Sequence, residues 1–118
     1  MIIYHGTSKV TIDNVLSKGF DNSKWIMFAD KKEEALRYAR SYAKSDNSIP
    51  YLIIVDISNL NINYEGKLAF NHAQNLFKAK VLDGYLSDKF ERNNLSDYYV
   101  IFNIDKLNEL NFGIEEIK

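Results

Sequence analysis

Cysteine is absent from this 118-residue sequence, and proline occurs once. Without a thiol the chain can form no disulfide bond, no thiolate zinc site and no covalent intermediate on a cysteine nucleophile. Two histidines, His5 and His72, are too few for a histidine-rich metal site, so we predict no bound metal. Any chemistry must therefore come from the remaining polar side chains.

Long apolar runs and an excess of one charge are also lacking. No stretch reaches the roughly 18 apolar residues of a membrane-spanning helix, and the N-terminus lacks the pattern of a signal peptide. The formal net charge is −1, which argues against a broad nucleic-acid-binding surface. These features predict a cytoplasmic protein that does not contact a membrane.

The sequence does contain enough apolar residues for a core, with 46% hydrophobic and 14% aromatic residues. This composition and length suit a single domain spanning residues 1–118. The apolar runs 51–57 and 98–102 predict buried strands. Because helices and closely spaced strands are mixed, we predict an α+β fold with split or two-layered, mostly antiparallel sheets flanked by short helices.

Three helices are indicated by periodic apolar residues. The first would begin with Thr11 as its N-cap and end at Gly19. The second would begin at Asp30, which forms a capping-box-like pair with Glu33. The third lies within 68–81.

The patterns of the other segments predict strands, turns and loops. A short strand ends near residue 5, and the apolar run 25–29 predicts a second, buried strand. Residues 59–64 suit a connection or an edge strand, whereas Asp83-Gly84 indicates a turn. The charged, Asn-rich segment 87–95 is predicted to be a mobile loop.

The first candidate site is the motif Tyr4-His5-Gly6-Thr7 at the end of the opening strand. An imidazole can donate or accept a hydrogen bond near neutral pH, and glycine lets a ligand approach its backbone. With the Thr7 hydroxyl, these groups could hold an amide-bearing ring and an adjoining sugar. The alternative is that His5 is an ordinary structural histidine.

An aromatic helix face and a late strand complete the candidate residues. Ala35, Tyr38 and Ala39 share one face of the second helix, so Tyr38 could stack on a planar ring or could simply pack in the core. Asp97 precedes the last buried strand, where a carboxylate could stabilise positive charge on a sugar carbon. Met27, within a buried run, is most simply a core residue.

Taken in order, these segments resemble the small ADP-ribosyltransferases of the diphtheria-toxin-like, His-Tyr-Glu branch. Individually each motif is loose, and it is their order along nearly the whole chain that carries the resemblance. The matching segments are Tyr4-His5-Gly6-Thr7, Ile26-Met27-Phe28-Ala29-Asp30 with Ala35 and Tyr38, the strand 51–57, Val81-Leu82-Asp83-Gly84-Tyr85-Leu86, and the stretch 98–107.

The resemblance implies that NAD is a substrate and assigns roles to several residues. It implies that His5 bonds a ribose hydroxyl of NAD, that Gly6 binds the nicotinamide carboxamide through its backbone with help from Thr7, and that Tyr38 stacks on the nicotinamide ring. Met27, Phe28 and Ala35 complete the implied cofactor-binding residues. The phosphates need cationic partners, for which Lys9, Lys24 and Arg40 are candidates.

The sequence departs from the family pattern at two positions. Met27 replaces a tyrosine, and Tyr98 replaces the glutamate that polarises the ribose 2′-hydroxyl. A tyrosine has a pKa near 10, so it stays neutral at pH 7 and offers only a hydrogen bond. Asp97 is adjacent, but strand alternation would point it to the opposite face. Tyr98 and Asp97 remain candidate catalytic residues with His5 and Tyr38.

The resemblance favours a mono-ADP-ribosyltransferase that modifies a macromolecule, with a protein target favoured over nucleic acid. By analogy, the protein would be a phage or bacterial effector, an anti-defence protein or a toxin. A second interpretation is an inactive domain of this fold that binds a nucleotide or a protein. A third, an RNA 2′-phosphotransferase relative, requires a phosphate-binding arginine cluster, and this chain has only Arg37, Arg40 and Arg92.

Overall fold

Seven strands and four helices occur in residues 1–88 and 96–118, the part of the chain that the computed structural model describes. The strands are β1 (Ile2–Ser8), β2 (Ile26–Ala29), β3 (Pro50–Asp56), β4 (Ile62–Asn63), β5 (Gly84–Asp88), β6 (Tyr98–Ile101) and β7 (Gly113–Glu116). The helices are α1 (Lys9–Lys18), α2 (Lys32–Asp46), α3 (Phe70–Lys78) and α4 (Ile104–Glu109).

The described strands form one mixed sheet in the order β4-β5-β6-β2-β1-β3-β7. Neighbouring strands are antiparallel except for the parallel pair β4 and β5. The predicted α+β fold with a mostly antiparallel sheet is therefore confirmed. Residues 59–64 do contain an edge strand, β4, as one of the two interpretations proposed.

The sheet has the fewest paired residues at its centre, where β1 and β2 are neighbours. Their ladder contains one register pair, Tyr4 with Ala29, whereas β1 and β3 are paired along their full lengths from Ile2–Asp56 to Ser8–Pro50. This narrow contact separates a first half-sheet (β4-β5-β6-β2) from a second half-sheet (β1-β3-β7). We call the place where they meet the β1–β2 junction.

Apolar side chains cover both faces of the central strands. Ile53 and Val55 of β3 belong to the largest buried cluster, which α1 and α4 cover, whereas Leu52 faces α2 and packs with Ala35 and Ala39. A further cluster joins α3 to β5 and β6 through Ala73, Tyr85 and Val100, together with Leu82 and Phe102. Burial on both faces explains why β3 reads as a continuous apolar run.

Helix α2 lies unusually close to β1 at Gly6. A Cβ atom placed on Gly6 would lie 1.9 Å from the carbonyl oxygen of Ala35 and 2.7 Å from the backbone nitrogen of Ala39. Three small residues therefore let the helix backbone approach the strand. The observed role of Gly6 is thus to admit α2 against the opening strand.

The predicted N-terminal residues Thr11 and Asp30 are wrong, by three residues for α1 and by one residue for α2. The N-cap of α1 is Ser8, and that of α2 is Lys31, neither of which has a side-chain capping bond. The Asp30 carboxylate accepts hydrogen bonds from the Ser96 hydroxyl (2.6 Å) and the Asp97 backbone N–H (3.0 Å) instead of capping the helix. A tertiary contact between α2 and the entry to β6 thus replaces the predicted capping box.

Other element predictions agree more closely. Helix α1 ends at Gly19, whose φ of 76° is the left-handed conformation that favours glycine. Most of the segment 87–95 predicted to be a mobile loop, residues 89–95, lies outside the described residues. Of the helices in the described ranges, none has the length and apolar content needed to cross a membrane.

Candidate functional site

His5 lies at the β1–β2 junction, immediately after the single register pair. Its Nδ1 atom is 2.8 Å from the backbone oxygen of Met27 in β2. A carbonyl oxygen can only accept, so Nδ1 carries the proton and donates it. In the neutral ring Nε2 is then left with a lone pair, and His5 can accept a hydrogen bond from a ligand hydroxyl.

The surroundings of His5 favour this neutral form. Burial lowers the pKa of His5 from its ordinary value of 6.5, and the bond to the Met27 carbonyl opposes that effect in part. The Phe28 ring lies 5.5 Å from the imidazole, centroid to centroid. At pH 7 the ring is therefore neutral, with its tautomer fixed by the opposite half-sheet.

A small cavity of about 130 Å³ opens beside His5. Its lining includes most of the residues that the sequence predicted as a site: His5, Gly6, Met27, Phe28, Ala35, Tyr38 and Tyr98, with Tyr4, Ala29 and Tyr42 in addition. Ligand pockets usually enclose about 300–1,000 Å³. This cavity has room for a single planar group and not for a whole nucleotide.

Tyr38 is a cavity residue and not a core residue. Its side chain is 39% exposed, and its ring lies 6.4 Å from that of Tyr98 in an edge-to-face arrangement. The guanidinium carbon of Arg37 lies 4.8 Å from the centroid of the Tyr38 ring, a cation–π contact that covers one ring face. Only the other face of Tyr38 is available for stacking on a ligand.

Met27, interpreted from sequence as a core residue, is also exposed. Its exposed fraction is 39%, and it lines the small cavity. The correction has a simple cause: β2 runs beside the point where the sheet separates, so part of this apolar strand faces solvent. The ligand-binding role that the family resemblance implies for Met27 stays a prediction.

Tyr98 lines the small cavity but is largely buried. It is 8% exposed, and its ring contacts that of Tyr38 edge to face. Burial, followed by the contacts with Tyr38 and Glu34, raises the pKa of Tyr98 far above its ordinary value of 10. Its hydroxyl is therefore neutral at any physiological pH.

A larger open groove of about 1020 Å³ adjoins the small cavity. His5, Met27 and Tyr42 line both spaces, so these three residues form a shared wall at the junction. Lys18 and Lys24 line the groove together with the Asp21 carboxylate. Hydrogen bonds from the Ser23 side chain and backbone lower the pKa of Asp21, which keeps it ionised beside the lysines.

Of the three cations proposed as phosphate partners, one lines the groove. Lys24 lines it, as predicted, whereas Lys9 and Arg40 are not among the described residues that line either space. Lys9 instead pairs with Asp13, with 2.9 Å between the ammonium nitrogen and a carboxylate oxygen. Lys18, which the sequence analysis did not select, joins Lys24 as a cation of the groove.

Two other candidates, Thr7 and Asp97, are not among the described residues that line the small cavity. Thr7 is buried in β1, and Asp97 contributes its backbone N–H to Asp30, so the roles predicted for these two residues stay predictions. Arg37 ion-pairs with Glu34, and residue 92 lies outside the described ranges, so no arginine cluster is seen for a 2′-phosphotransferase in those ranges.

Tyr42 lines the small cavity but was not selected from sequence. It lies one helical turn from Tyr38, at i+4, on the same face of α2, and that spacing is the signal that could have found it. Glu34, at i−4 from Tyr38, is also buried, although its neighbouring charges are typical of a solvated helix face.

Comparison with known proteins found no matching family model, no matching curated protein and no matching solved structure. No cluster of three or more potential metal ligands occurs in the described ranges. The functional interpretation is therefore based on the ordered motifs and on the geometry of the junction.

Proposed function

We propose that the protein is a mono-ADP-ribosyltransferase that uses NAD as its substrate and transfers ADP-ribose to a macromolecule. The observation that supports this most directly is the His5 imidazole at the β1–β2 junction. Its Nδ1 is tied to Met27, which leaves Nε2 as an acceptor beside a ring-sized cavity. The same junction supports an ADP-ribosyltransferase-like split, because two half-sheets meet there through a single register pair.

In this proposal the small cavity takes the nicotinamide ring. The free face of Tyr38 stacks on the ring, and the backbone of Gly6 lies close enough to the cavity to contact its carboxamide. His5 accepts a hydrogen bond from a ribose hydroxyl. Met27 and Phe28 supply the apolar wall on the β2 side.

The larger groove takes the rest of the dinucleotide. It shares His5, Met27 and Tyr42 with the small cavity and is of the size of a full ligand site. Lys18 and Lys24 would bind the phosphates, since an ammonium group is a strong partner for a phosphate oxygen. Nicotinamide and phosphates then occupy two adjoining spaces on either side of His5.

The chemistry of the proposed reaction defines only the class of target molecule. A nucleophile of the target attacks the sugar carbon after the bond to nicotinamide loosens, so the acceptor must reach the open side of the small cavity. A protein target, and a role as a phage or bacterial effector in the cytoplasm of a host cell, extend the proposal by analogy.

The test is incubation of the pure protein with NAD labelled in its adenylate part, alone and in a lysate of the candidate host. Transfer of label to a macromolecule is the expected result, and the His5→Ala variant should lose it. His72→Ala is the matched control, because His72 is exposed on α3 and lines neither space. Equal labelling by wild type and His5→Ala would reject the site assignment.

Tyr98 favours one alternative, a binding module of the same fold without catalysis. A neutral phenol stands where the resemblance implies a carboxylate, and its raised pKa keeps it neutral. The two functions differ in one measurement. Binding of NAD by calorimetry, with no nicotinamide released over hours, would support the module and exclude the transferase.

A further inference from the structure

The Tyr38 ring is held on the side that faces away from the small cavity. The guanidinium carbon of Arg37 lies 4.8 Å from the centroid of this ring. Tyr38 lines the small cavity, whereas Arg37 is not among the described residues that line it. The guanidinium therefore covers the outer face of the Tyr38 ring and leaves the face toward the cavity open to a ligand.

Arg37 is itself fixed by a buried carboxylate. Its Nε and Nη2 atoms lie 2.6 and 2.5 Å from the same oxygen, Oε1 of Glu34. The Arg37 side chain is 65% exposed, but that of Glu34 is only 4% exposed. A buried carboxylate is strongly destabilising without its partner, so this ion pair stays formed. Two donors on one edge of a planar group also restrict its orientation, as a single ammonium group does not.

The contacts of Tyr38 restrict a side chain that would otherwise be mobile. Tyr38 is 39% exposed, so it has room to change its orientation on the helix surface. Arg37 limits the ring on one face, and the Tyr98 ring, 6.4 Å away in an edge-to-face arrangement, limits it from a second direction. A ligand that stacks on a ring already held in place loses less conformational entropy on binding.

The ion pair also sets the charge behind the ring. The nicotinamide ring of NAD is positively charged, and an unpaired arginine on the far face of Tyr38 would repel it. The Glu34 carboxylate offsets the charge of Arg37 at 2.5 Å. The pair is therefore neutral in sum, and it restricts Tyr38 without opposing a cationic ring.

We propose that Arg37 and Glu34 are positioning residues that hold the Tyr38 ring ready to stack on the nicotinamide ring of NAD. The inference rests on the proposed function, which assigns the small cavity to nicotinamide. It concerns recognition of that ring and not the breaking of the glycosidic bond. The ion pair should therefore contribute to the affinity for NAD and not to that for ADP-ribose, which has the same adenosine and phosphates but no nicotinamide.

Calorimetry tests the inference with the double variant Glu34→Gln, Arg37→Gln. This variant keeps the net charge and leaves no buried carboxylate unpaired. The probes are ADP-ribose and carbocyclic NAD, in which a carbon atom replaces the oxygen of the ribose ring so that nicotinamide is not released. We expect the Kd for carbocyclic NAD to rise about 3- to 10-fold, the range for ordering one side chain on binding. The Kd for ADP-ribose should stay within about 2-fold.

The double variant Glu33→Gln, Lys44→Gln is the matched control. Both residues are exposed on α2 and line neither space, and their joint replacement also keeps the net charge. This variant should bind both probes as wild type does. Loss of affinity for both probes in Glu34→Gln, Arg37→Gln, with the control unchanged, would indicate damage to the whole site and would overturn a role limited to stacking.

Nicotinamide release from NAD gives a second measurement of the same variant. Stacking contributes equally to the ground state and the transition state, so its loss should raise KM and leave kcat unchanged. We expect KM for NAD to rise about 3- to 10-fold in Glu34→Gln, Arg37→Gln, with kcat within about 2-fold of wild type. A fall in kcat at constant KM would contradict the inference.

The single variant Arg37→Lys tests the geometry of the pair without removing its charge. Lysine keeps a cation beside Glu34 but lacks the planar edge with two donors. Because Arg37 is exposed, this variant should fold even if the double variant does not. We expect the Kd for carbocyclic NAD to rise about 2- to 5-fold and that for ADP-ribose to stay unchanged. A wild-type ratio of the two Kd values in every variant that folds would overturn the inference.

The behaviour of wild type distinguishes failure of this inference from failure of the proposed function. If wild type prefers carbocyclic NAD to ADP-ribose and the variants keep that preference, the role of the ion pair alone is overturned. If wild type binds both probes equally, stacking in the small cavity is overturned together with this inference. If wild type binds neither probe, the proposed NAD site itself is overturned.

Discussion

His5 joins two half-sheets through one hydrogen bond, and its protonation should therefore affect stability. Burial holds the pKa of His5 below its ordinary value of 6.5 in the folded chain. As pH falls below about 6.5, the unfolded chain takes up a proton before the folded chain does. The free energy of unfolding should decrease over that range, and this contribution should be constant above it.

The measurement compares wild type with His5→Asn by urea unfolding between pH 8 and pH 5. The asparagine amide can still donate to the Met27 carbonyl, but it does not titrate. The stability difference, wild type minus variant, should become less favourable to wild type as pH falls. A difference that stays constant across the range would show that His5 titrates alike in the folded and unfolded chains.

At the scale of single residues, positions with a special geometric requirement could be selected from sequence. The burial of an individual charged side chain could not be predicted. His5, Gly6 and Tyr38 were selected because a strand end, a missing side chain and a helix face each restrict position. Glu34 was missed because i,i+3 pairing with Arg37 is also the pattern of a solvated helix surface. Its burial is a result of tertiary packing, which local spacing does not show.

Packing of α2 on β1 is the contact between elements that positions the site. The Cβ of an alanine at position 6 would lie 1.9 Å from a backbone oxygen of α2. Backbone cannot move aside as a flexible side chain can, so the helix must shift. We expect Gly6→Ala to lower the free energy of unfolding by about 3 kcal/mol, at the upper end for overpacking.

Gly113→Ala is the matched control for this prediction. The added Cβ would lie 3.8 Å from Ile54 Cβ, an ordinary contact, at the start of β7. Its effect should stay below about 1 kcal/mol. Urea unfolding of both variants measures the two changes in the free energy of unfolding. Similar decreases at positions 6 and 113 would contradict the proposed tight approach of α2.

Among the elements, long apolar runs were predictable and helix starts were not. Strand β3 was evident because an apolar run buried on both faces needs no tertiary information. The start of α2 was misplaced because the Asp30 carboxylate accepts from Ser96 and Asp97 rather than from its own helix. A cap can be proposed from local spacing, but a distant serine that competes for the same oxygen cannot.

At the scale of the whole molecule, the order of the candidate-site motifs along the chain was evident from sequence, but their arrangement in space was not. His5, Met27, Tyr38 and Tyr98 come from four separate elements, and the register of β1 with β2 brings them around one cavity. Such long-range pairing is set by the complete topology, which local periodicity does not encode.

Because the proposed NAD site spans the β1–β2 junction, ligand should stabilise both half-sheets together. A ligand that binds only the folded state stabilises it by about 2.7 kcal/mol at a concentration 100 times its Kd. We therefore expect NAD to raise the Tm of wild type with the logarithm of its concentration. Hydrogen exchange should slow in β1 and β2 alike.

The controls are a variant and a truncated ligand. The His5→Ala variant should need a higher NAD concentration for the same rise in Tm, and ADP-ribose, which lacks the nicotinamide ring, should raise the Tm of wild type less than NAD does. Protection confined to one half-sheet, or equal shifts for His5→Ala and wild type, would place the ligand elsewhere.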